Sequence, residues 1–84
     1  MKKSVTIADL ENALRDLNTQ KGFPLTPYES GTNKANIGNF HLSRAYGGFN
    51  VHQIVNESGG ITEPGGGGHV TKRECLARIN SLFN

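Results

Sequence analysis

Residues 37–56, IGNFHLSRAYGGFNVHQIVN, decide the fold, because apolar positions alternate on both sides of the pair Gly47-Gly48. Alternation with a period of two is typical of half-buried β-strands. Two consecutive glycines suit a two-residue hairpin turn, because both turn positions can take positive φ. The stretch therefore predicts a β-hairpin that turns at Gly47-Gly48.

The predicted turn determines which residues of the hairpin share a face. Pairing Tyr46 with Phe49 places most apolar side chains on the face that meets the protein core. This core face carries Phe40, Leu42, Tyr46, Phe49, Val51 and Val55. The opposite face is mostly polar, and we expect it to contact water. It carries His41, Ser43, Ala45, Asn50, His52 and Ile54.

The residues after the hairpin predict a third strand and then a glycine-rich loop. NESGG at 56–60 is typical of a turn, and Ile61-Thr62 can return beside the second strand. A third strand is expected because two strands alone are marginally stable in water. We therefore predict a three-stranded antiparallel meander over 37–63. Pro64 and the glycines that follow it then predict a flexible loop over 64–70.

A helix is predicted on each side of the meander, over 5–20 and over 71–83. Each begins with a valine, a threonine N-cap and an acidic residue three positions later, which is the pattern of a capping box with a hydrophobic staple. These residues are Val5, Thr6 and Asp9, then Val70, Thr71 and Glu74. An apolar face with helical spacing follows each cap. It consists of Ile7, Leu10, Leu14 and Leu17 in the first helix and of Leu76, Ile79 and Phe83 in the second.

The remaining segment, 21–36, contains two prolines and two glycines and is predicted to be an ordered loop. A chain of 84 residues fits one domain, 1–84. The expected fold class is therefore α+β, with an N-terminal helix, a three-stranded antiparallel β-meander and a C-terminal helix packed on one face of the sheet.

Charge and cysteine content limit the class of protein. Nine Lys and Arg against seven Asp and Glu give a net charge of +2, spread along the chain, which permits nucleic-acid binding without requiring it. Cys75 is the only cysteine, which excludes an internal disulfide and favours a reducing compartment, the cytoplasm. Met1-Lys2-Lys3 resembles the start of a signal peptide, but no continuous apolar stretch follows. Neither export nor a membrane location is predicted.

No set of residues predicts catalysis. The carboxylates are scattered along the chain, and none forms an obvious acid–base pair. Cys75 is expected to pack against Val70, which argues against a nucleophile. His41 and His52 fall in diagonal positions on the outer hairpin face with no acidic residue beside them, and two ligands do not make a metal site. We therefore predict no enzyme, no metal and no cofactor.

From Tyr46 onward the chain carries a recognisable series of pieces. These are Tyr46-Gly47-Gly48-Phe49, a strand from Val51 to Val55, a turn from Asn56 to Gly60, and Thr71-Lys72-Arg73-Glu74 opening the last helix. In these pieces the C-terminal half resembles a group of short, uncharacterised proteins encoded by bacteriophages and related mobile elements. The resemblance implies a small accessory protein in the bacterial cytoplasm, and it implies no particular activity.

Function is therefore expected to lie in a surface. A protein partner, or a second copy of the chain in a homodimer, is favoured, because a short third strand leaves a sheet edge free for pairing. The alternative partner is nucleic acid, with Arg78 among its basic contacts. The stretch GGGGHVTKRE at 65–74 also permits an anion site at the helix start. The predicted binding residues are Lys72, Arg73, Arg44, His52 and His69.

Overall fold

The computed structural model describes residues 4–83 as two helices and one three-stranded sheet. The elements, in chain order, are α1 (Ile7–Lys21), β1 (Phe40–Ala45), β2 (Gly48–Ile54), β3 (Ile61–Thr62) and α2 (Lys72–Ser81). The strands are antiparallel and lie in the order β1-β2-β3. The predicted α+β fold is confirmed. The segment Met1-Lys2-Lys3, weighed above as a signal-peptide start, lies outside the described residues.

Helix α1 begins and ends where its sequence indicates. The Thr6 hydroxyl accepts a hydrogen bond from the Asp9 N–H at 3.1 Å, and the Asp9 carboxylate accepts one from the Thr6 N–H at 2.9 Å. This reciprocal pair satisfies two amides that have no partner inside the helix. Gly22 ends the helix at φ 74°, a left-handed conformation that glycine adopts without strain.

Helix α2 is shorter than predicted and carries only half of the predicted capping box. The Thr71 hydroxyl accepts from the Glu74 N–H at 3.2 Å. The Glu74 carboxylate lies 3.4 Å from the Thr71 hydroxyl oxygen, and among residues 4–83 no bond joins it to the Thr71 N–H. The helix ends at Ser81, before the predicted end at residue 83.

Both helices contribute to one core on one face of the sheet. The buried residues of this core come from α1, β1, β2 and α2, as the apolar periodicities predicted. They are Leu10, Leu14, Leu17, Phe40, Val51, Cys75 and Ile79. Val5 and Val70, the two predicted staple residues, pack against this core.

The hairpin turns one residue earlier than predicted. Tyr46 and Gly47 occupy the turn, with φ of 54° and 72°, and Ala45 pairs with Gly48. Gly48 is needed for a different reason: a Cβ at this position would lie 3.0 Å from the His69 carbonyl carbon. The glycine therefore lets the chain before α2 lie close against β2, and it belongs to the strand instead of the turn.

The earlier turn shifts each strand pairing by two residues, so Leu42 faces Val51 and not Gln53. A shift of two leaves each side chain on its predicted face, because the strand period is two. Two assignments to the core face are nevertheless wrong. Tyr46 lies in the turn and is 100% exposed, and Val55, beyond the end of β2, is 49% exposed.

The outer face of the hairpin is less wet than predicted. Asn50 and Ile54 are buried there. Asn50 lies under the glycine-rich loop and donates to the Gly66 carbonyl at 3.1 Å. The main chain of Ile54 is bonded to Gly38 and Asn39, at 2.8 and 3.0 Å. The glycine-rich loop therefore covers part of the face that alternation alone assigned to solvent.

The glycine-rich loop is hydrogen-bonded to α2, whereas the sequence predicted a flexible loop. The Arg78 guanidinium donates to the carbonyls of Gly66, Gly67 and Gly68 at 3.2, 3.1 and 2.8 Å. A Cβ on Gly65 would lie 2.9 Å from the Arg78 Cβ, so the loop can approach the helix this closely only without a side chain there. The glycines therefore serve a close contact between loop and helix.

Candidate binding surfaces

The fold brings two of the predicted binding residues together on the ring of Phe49. The Arg44 Cζ lies 5.8 Å and the Lys72 Nζ 5.7 Å from the ring centroid. At these distances each cation is attracted by the negative face of the ring. Arg73 is exposed and follows Lys72 at the start of α2. One end of the molecule thus gathers positive charge from the hairpin and from α2.

Tyr46 stands at the tip of the hairpin, two residues after Arg44. Its side chain is fully exposed, and its φ of 54° is uncommon for a bulky residue. The His69 ring centroid lies 6.1 Å from that of Tyr46. His69 contacts Ser43 on the outer face of the hairpin, whereas Arg44 and Phe49 are on the opposite face. We call the end of the molecule that carries Arg44, Tyr46, His69, Lys72 and Arg73 the tip surface.

Arg78, expected from the sequence to contact nucleic acid, does not belong to the tip surface. Its guanidinium donates to the Asn50 side-chain oxygen at 2.9 Å and to the carbonyls of the glycine-rich loop. Both terminal nitrogens of the guanidinium, Nη1 and Nη2, therefore bond inside the protein. On this side the loop presents carbonyls to a cation, which is the opposite polarity to a loop that cradles an anion.

His52, another predicted binding residue, lies further from the tip in a row of imidazoles. His41 and His52 face each other directly across the strands, with ring centroids 5.8 Å apart, and the diagonal placement predicted above is wrong. His69 follows, 6.1 Å from His52, and its Nε2 lies 2.9 Å from the Ser43 hydroxyl. Burial, and secondarily His52, lower the pKa of His41.

An acidic residue does join the imidazoles, contrary to the prediction. The Glu63 carboxylate lies 3.8 Å from the His52 Nε2 and accepts a hydrogen bond from the Asn50 amide at 2.7 Å. Within residues 4–83, no three or more His, Cys, Asp and Glu side chains form a group that could hold a metal ion. The single cysteine, Cys75, is buried in the core, and this burial raises the pKa of its thiol.

On the outer edge of β2, each of the outward-facing residues Phe49, Val51 and Gln53 has a partner. Phe49 exchanges two main-chain hydrogen bonds of 2.8 Å with Val70. The Val51 N–H donates to the Asn50 side-chain oxygen at 2.8 Å. Gln53 then pairs with Thr62 of β3. A strand segment, a side chain and a short strand together occupy this edge.

The outer edge of β1 is closed only at its start. The Asn18 side chain, from α1, accepts from the Phe40 N–H at 2.8 Å and donates to the Phe40 carbonyl at 2.9 Å. Since outward groups alternate along a strand, the main-chain groups of Leu42 and Arg44 point the same way. Among residues 4–83 no group from outside the sheet bonds to them. We call Leu42 to Arg44 the open edge.

An apolar groove of about 340 Å³ lies beside the open edge, between α1, β1 and the loop 22–39. Leu14, Leu25, Phe40 and Leu42 form its apolar lining, and Leu25 is 57% exposed. Glu11 and Arg15 are on its rim along the same face of α1. The groove and the open edge share Leu42, so a strand added at the edge reaches the groove.

Sequence reasoning missed Asn18 and Asn50, which hold the two sheet edges. Both are fully buried, although asparagine is usually exposed. Asn18 lies four residues after Leu14, on the buried side of α1, so its helical spacing in the sequence already indicates burial. Asn50 was assigned to a wet face, because nothing in the alternation shows the loop that covers it.

In comparisons with known proteins, no family model, curated protein or solved structure matches this chain. In the described part of the chain, neither helix is long and apolar enough to cross a membrane.

Proposed function

We propose that this protein is a small binding domain that recognises a protein partner by adding one strand of that partner to β1. The observation that carries the proposal is the open edge. On β2 each outward-facing residue has a partner from Val70, Asn50 or β3. On β1 only Phe40 has one, the Asn18 side chain, whereas Leu42 and Arg44 keep free outward main-chain groups. Edge strands with free donors and acceptors pair readily with an additional strand.

The groove gives this edge a preference for apolar partner side chains. Side chains directly opposite each other in a sheet share a face, so a partner residue opposite Leu42 lies on the α1 side. There it meets Leu14 and Leu25. Burying one large aliphatic side chain contributes about 1.5–3 kcal/mol. The main-chain bonds supply affinity and the groove supplies selection among extended segments.

A second copy of the chain satisfies the main-chain pairing, although the groove favours a partner with an apolar side chain opposite Leu42. Two β1 strands can pair antiparallel about Ser43, which places Leu42 of each copy opposite Arg44 of the other. This register forms hydrogen bonds through the outward groups of both residues. It also keeps the two Arg44 side chains from facing each other directly, which avoids like-charge repulsion. The product is a continuous sheet across a two-fold axis.

The setting that we propose is that of a phage-type accessory protein in the bacterial cytoplasm. The resemblance of the C-terminal half to short phage-encoded proteins supports it, as does the single buried thiol of Cys75. Nucleic acid, the alternative partner considered from the sequence, suits the tip surface and not the open edge.

Two substitutions at Arg44 test strand addition. Arg44→Pro removes the outward N–H and leaves the bonds between β1 and β2, because proline is tolerated on an edge strand where its nitrogen faces solvent. Arg44→Ala removes the cation and keeps the N–H. In sedimentation at rising concentration, and in capture from nuclease-treated bacterial lysate, Arg44→Ala is expected to behave like the unmodified protein. Arg44→Pro is expected to lose the partner while its circular dichroism spectrum stays folded.

Equal binding by the two Arg44 variants contradicts the proposal, because it shows that the edge N–H makes no contribution. Ser43→Pro is the matched structural control. The Ser43 N–H points toward β2, since it alternates with the outward groups of Leu42 and Arg44. This substitution is therefore expected to destabilise the hairpin, whereas Arg44→Pro spares it.

A further inference from the structure

We infer that the tip surface is a second binding site, and that its ligand is single-stranded nucleic acid. Tyr46 stacks on a base, and Arg44 and Lys72, at the Phe49 ring, attract phosphates of the same strand. This inference does not depend on strand addition, because it uses the end of the hairpin and the start of α2 instead of the edge of β1.

Tyr46 occupies a position that the fold alone does not explain. The first residue of a two-residue turn with positive φ at both positions is normally Asn, Asp or Gly. A tyrosine held at φ 54° stores backbone strain, and such strain is concentrated at functional positions. The ring gains nothing by burial, because it is fully exposed. Its π-face is therefore available to a ligand.

The cations at the Phe49 ring are held in place without being neutralised. Arg44 and Lys72 lie within 6 Å of the Phe49 ring centroid. Among residues 4–83 neither forms a salt bridge or donates a side-chain hydrogen bond to a protein acceptor. Arg78 differs, since its guanidinium is used by the glycine-rich loop. Arg44 and Lys72 thus keep their donors for an anion.

The combination of a free ring with free cations selects a single strand. Bases of a single strand can turn out and stack on an aromatic side chain, while those of a duplex are stacked on each other. An acidic peptide satisfies the cations but leaves the Tyr46 ring unused. His69 extends the ring surface 6.1 Å from Tyr46, and the Ser43 hydroxyl, 2.9 Å from its Nε2, fixes the imidazole.

The direct test is fluorescence anisotropy with a labelled thymidine oligonucleotide of about 12 nucleotides, a length that small single-strand-binding domains occupy. The full chain is titrated at low salt and then at rising salt. Tyr46→Asn is expected to weaken binding about fivefold or more, the loss that corresponds to one stacked base. Asparagine suits the turn, so this variant remains folded.

Lys72→Gln separates the phosphate contact from stacking. It is expected to lower the slope of log affinity against log salt by about 0.7, the value for one phosphate of a single strand. Lys34→Gln is the matched control, because Lys34 is exposed and lies 3.8 Å from Glu57, away from the tip surface. The control is expected to leave both affinity and slope unchanged.

Three outcomes overturn the inference. They are the absence of binding at low salt, equal affinity for a duplex of the same sequence, and unchanged affinity in Tyr46→Asn. Lys72→Gln keeps this test distinct from that of the open edge, because Lys72 lies on α2 and not on β1. It weakens oligonucleotide binding if the tip surface is the site, and it leaves strand addition intact.

Discussion

The two long edges of the sheet differ in how many of their outward main-chain groups have hydrogen-bond partners. On the outer side of β2, Phe49, Val51 and Gln53 each have a partner, from Val70, the Asn50 side chain and β3 in turn. On the outer side of β1, the Asn18 side chain bonds to both outward main-chain groups of Phe40. It does not reach those of Leu42 and Arg44. In both places an asparagine amide stands in for a missing strand. A single asparagine side chain is thus enough to close a stretch of edge in this protein, whereas Leu42 to Arg44 is left open.

The largest effect is expected on the closed side. Asn50 accepts from the Val51 N–H and from Arg78, and donates to Glu63 and Gly66. Asn50→Ala leaves buried donors without acceptors and is expected to reduce the free energy of unfolding by about 3 kcal/mol. Urea denaturation measures this loss. A loss below about 1 kcal/mol means that water can replace the Asn50 side chain, which contradicts its role in closing the edge of β2.

The same change on the open side is expected to be smaller and to have a second consequence. Asn18→Ala frees both main-chain groups of Phe40 and is expected to cost about 2 kcal/mol of stability. It also lengthens the open edge, so strand addition becomes stronger although the domain is weaker. Asn18→Asp is the matched variant, because a carboxylate accepts from the Phe40 N–H but cannot donate to its carbonyl. Unfolding and sedimentation together separate the two effects, and weaker association in Asn18→Ala contradicts the comparison.

A substitution at the hairpin tip, between the two edges, is expected to raise the free energy of unfolding instead of lowering it. Tyr46→Asn relieves a φ of 54° and removes no buried contact. We expect a gain of about 1 kcal/mol in the free energy of unfolding, measured by urea denaturation. Tyr46→Ala is the matched variant, because alanine lacks the ring but tolerates positive φ poorly. If the asparagine variant is less stable than the unmodified protein, Tyr46 stabilises the fold.

The smallest effect is expected from pH at the outer face of the hairpin. The pKa of His41 is lowered by burial and then by His52. The unfolded chain therefore takes up the proton at higher pH than the folded one. The stability that neutral His41 contributes is full above the ordinary pKa of 6.5 and is lost as the pH falls through the lowered folded value.

Urea denaturation at about pH 7.5 and about pH 5 tests the contribution of His41. The titratable or charged groups near His41 include His52, across the strands, and Glu11 and Arg15, which line the same groove. His41→Gln is expected to lose less stability on acidification than the unmodified protein. An equal loss in both proteins assigns the pH dependence to other groups.

Much of the fold followed from the sequence, because its signals are local. The caps at Thr6 and Thr71, the apolar helix faces and the three strands depend on spacing within a few residues. The turn position did not follow, because Gly48 is required by a neighbouring segment distant in sequence. The edge closures depend on contacts such as Asn18 with Phe40, twenty-two residues away.

The candidate sites divide in the same way. Arg44 and Lys72 were predicted as binding residues from charge alone, and the fold brings them to one aromatic ring. Arg78 carries the same charge but is occupied by the loop. Composition gives no means of telling these cases apart, because the difference lies in which carbonyls the folded chain places around each guanidinium.

Hydrogen exchange of three neighbouring amides tests the central claim most directly. NMR can follow Leu42, Ser43 and Arg44 in the dilute protein and again with the partner, either a second copy at high concentration or a protein captured by Arg44→Ala. The open edge predicts fast exchange at Leu42 and Arg44 in the dilute protein, strong protection of both on binding, and protection of Ser43 throughout. Leu42 and Arg44 amides that are already protected in isolation, or that stay exposed in a stable complex, would contradict strand addition at β1.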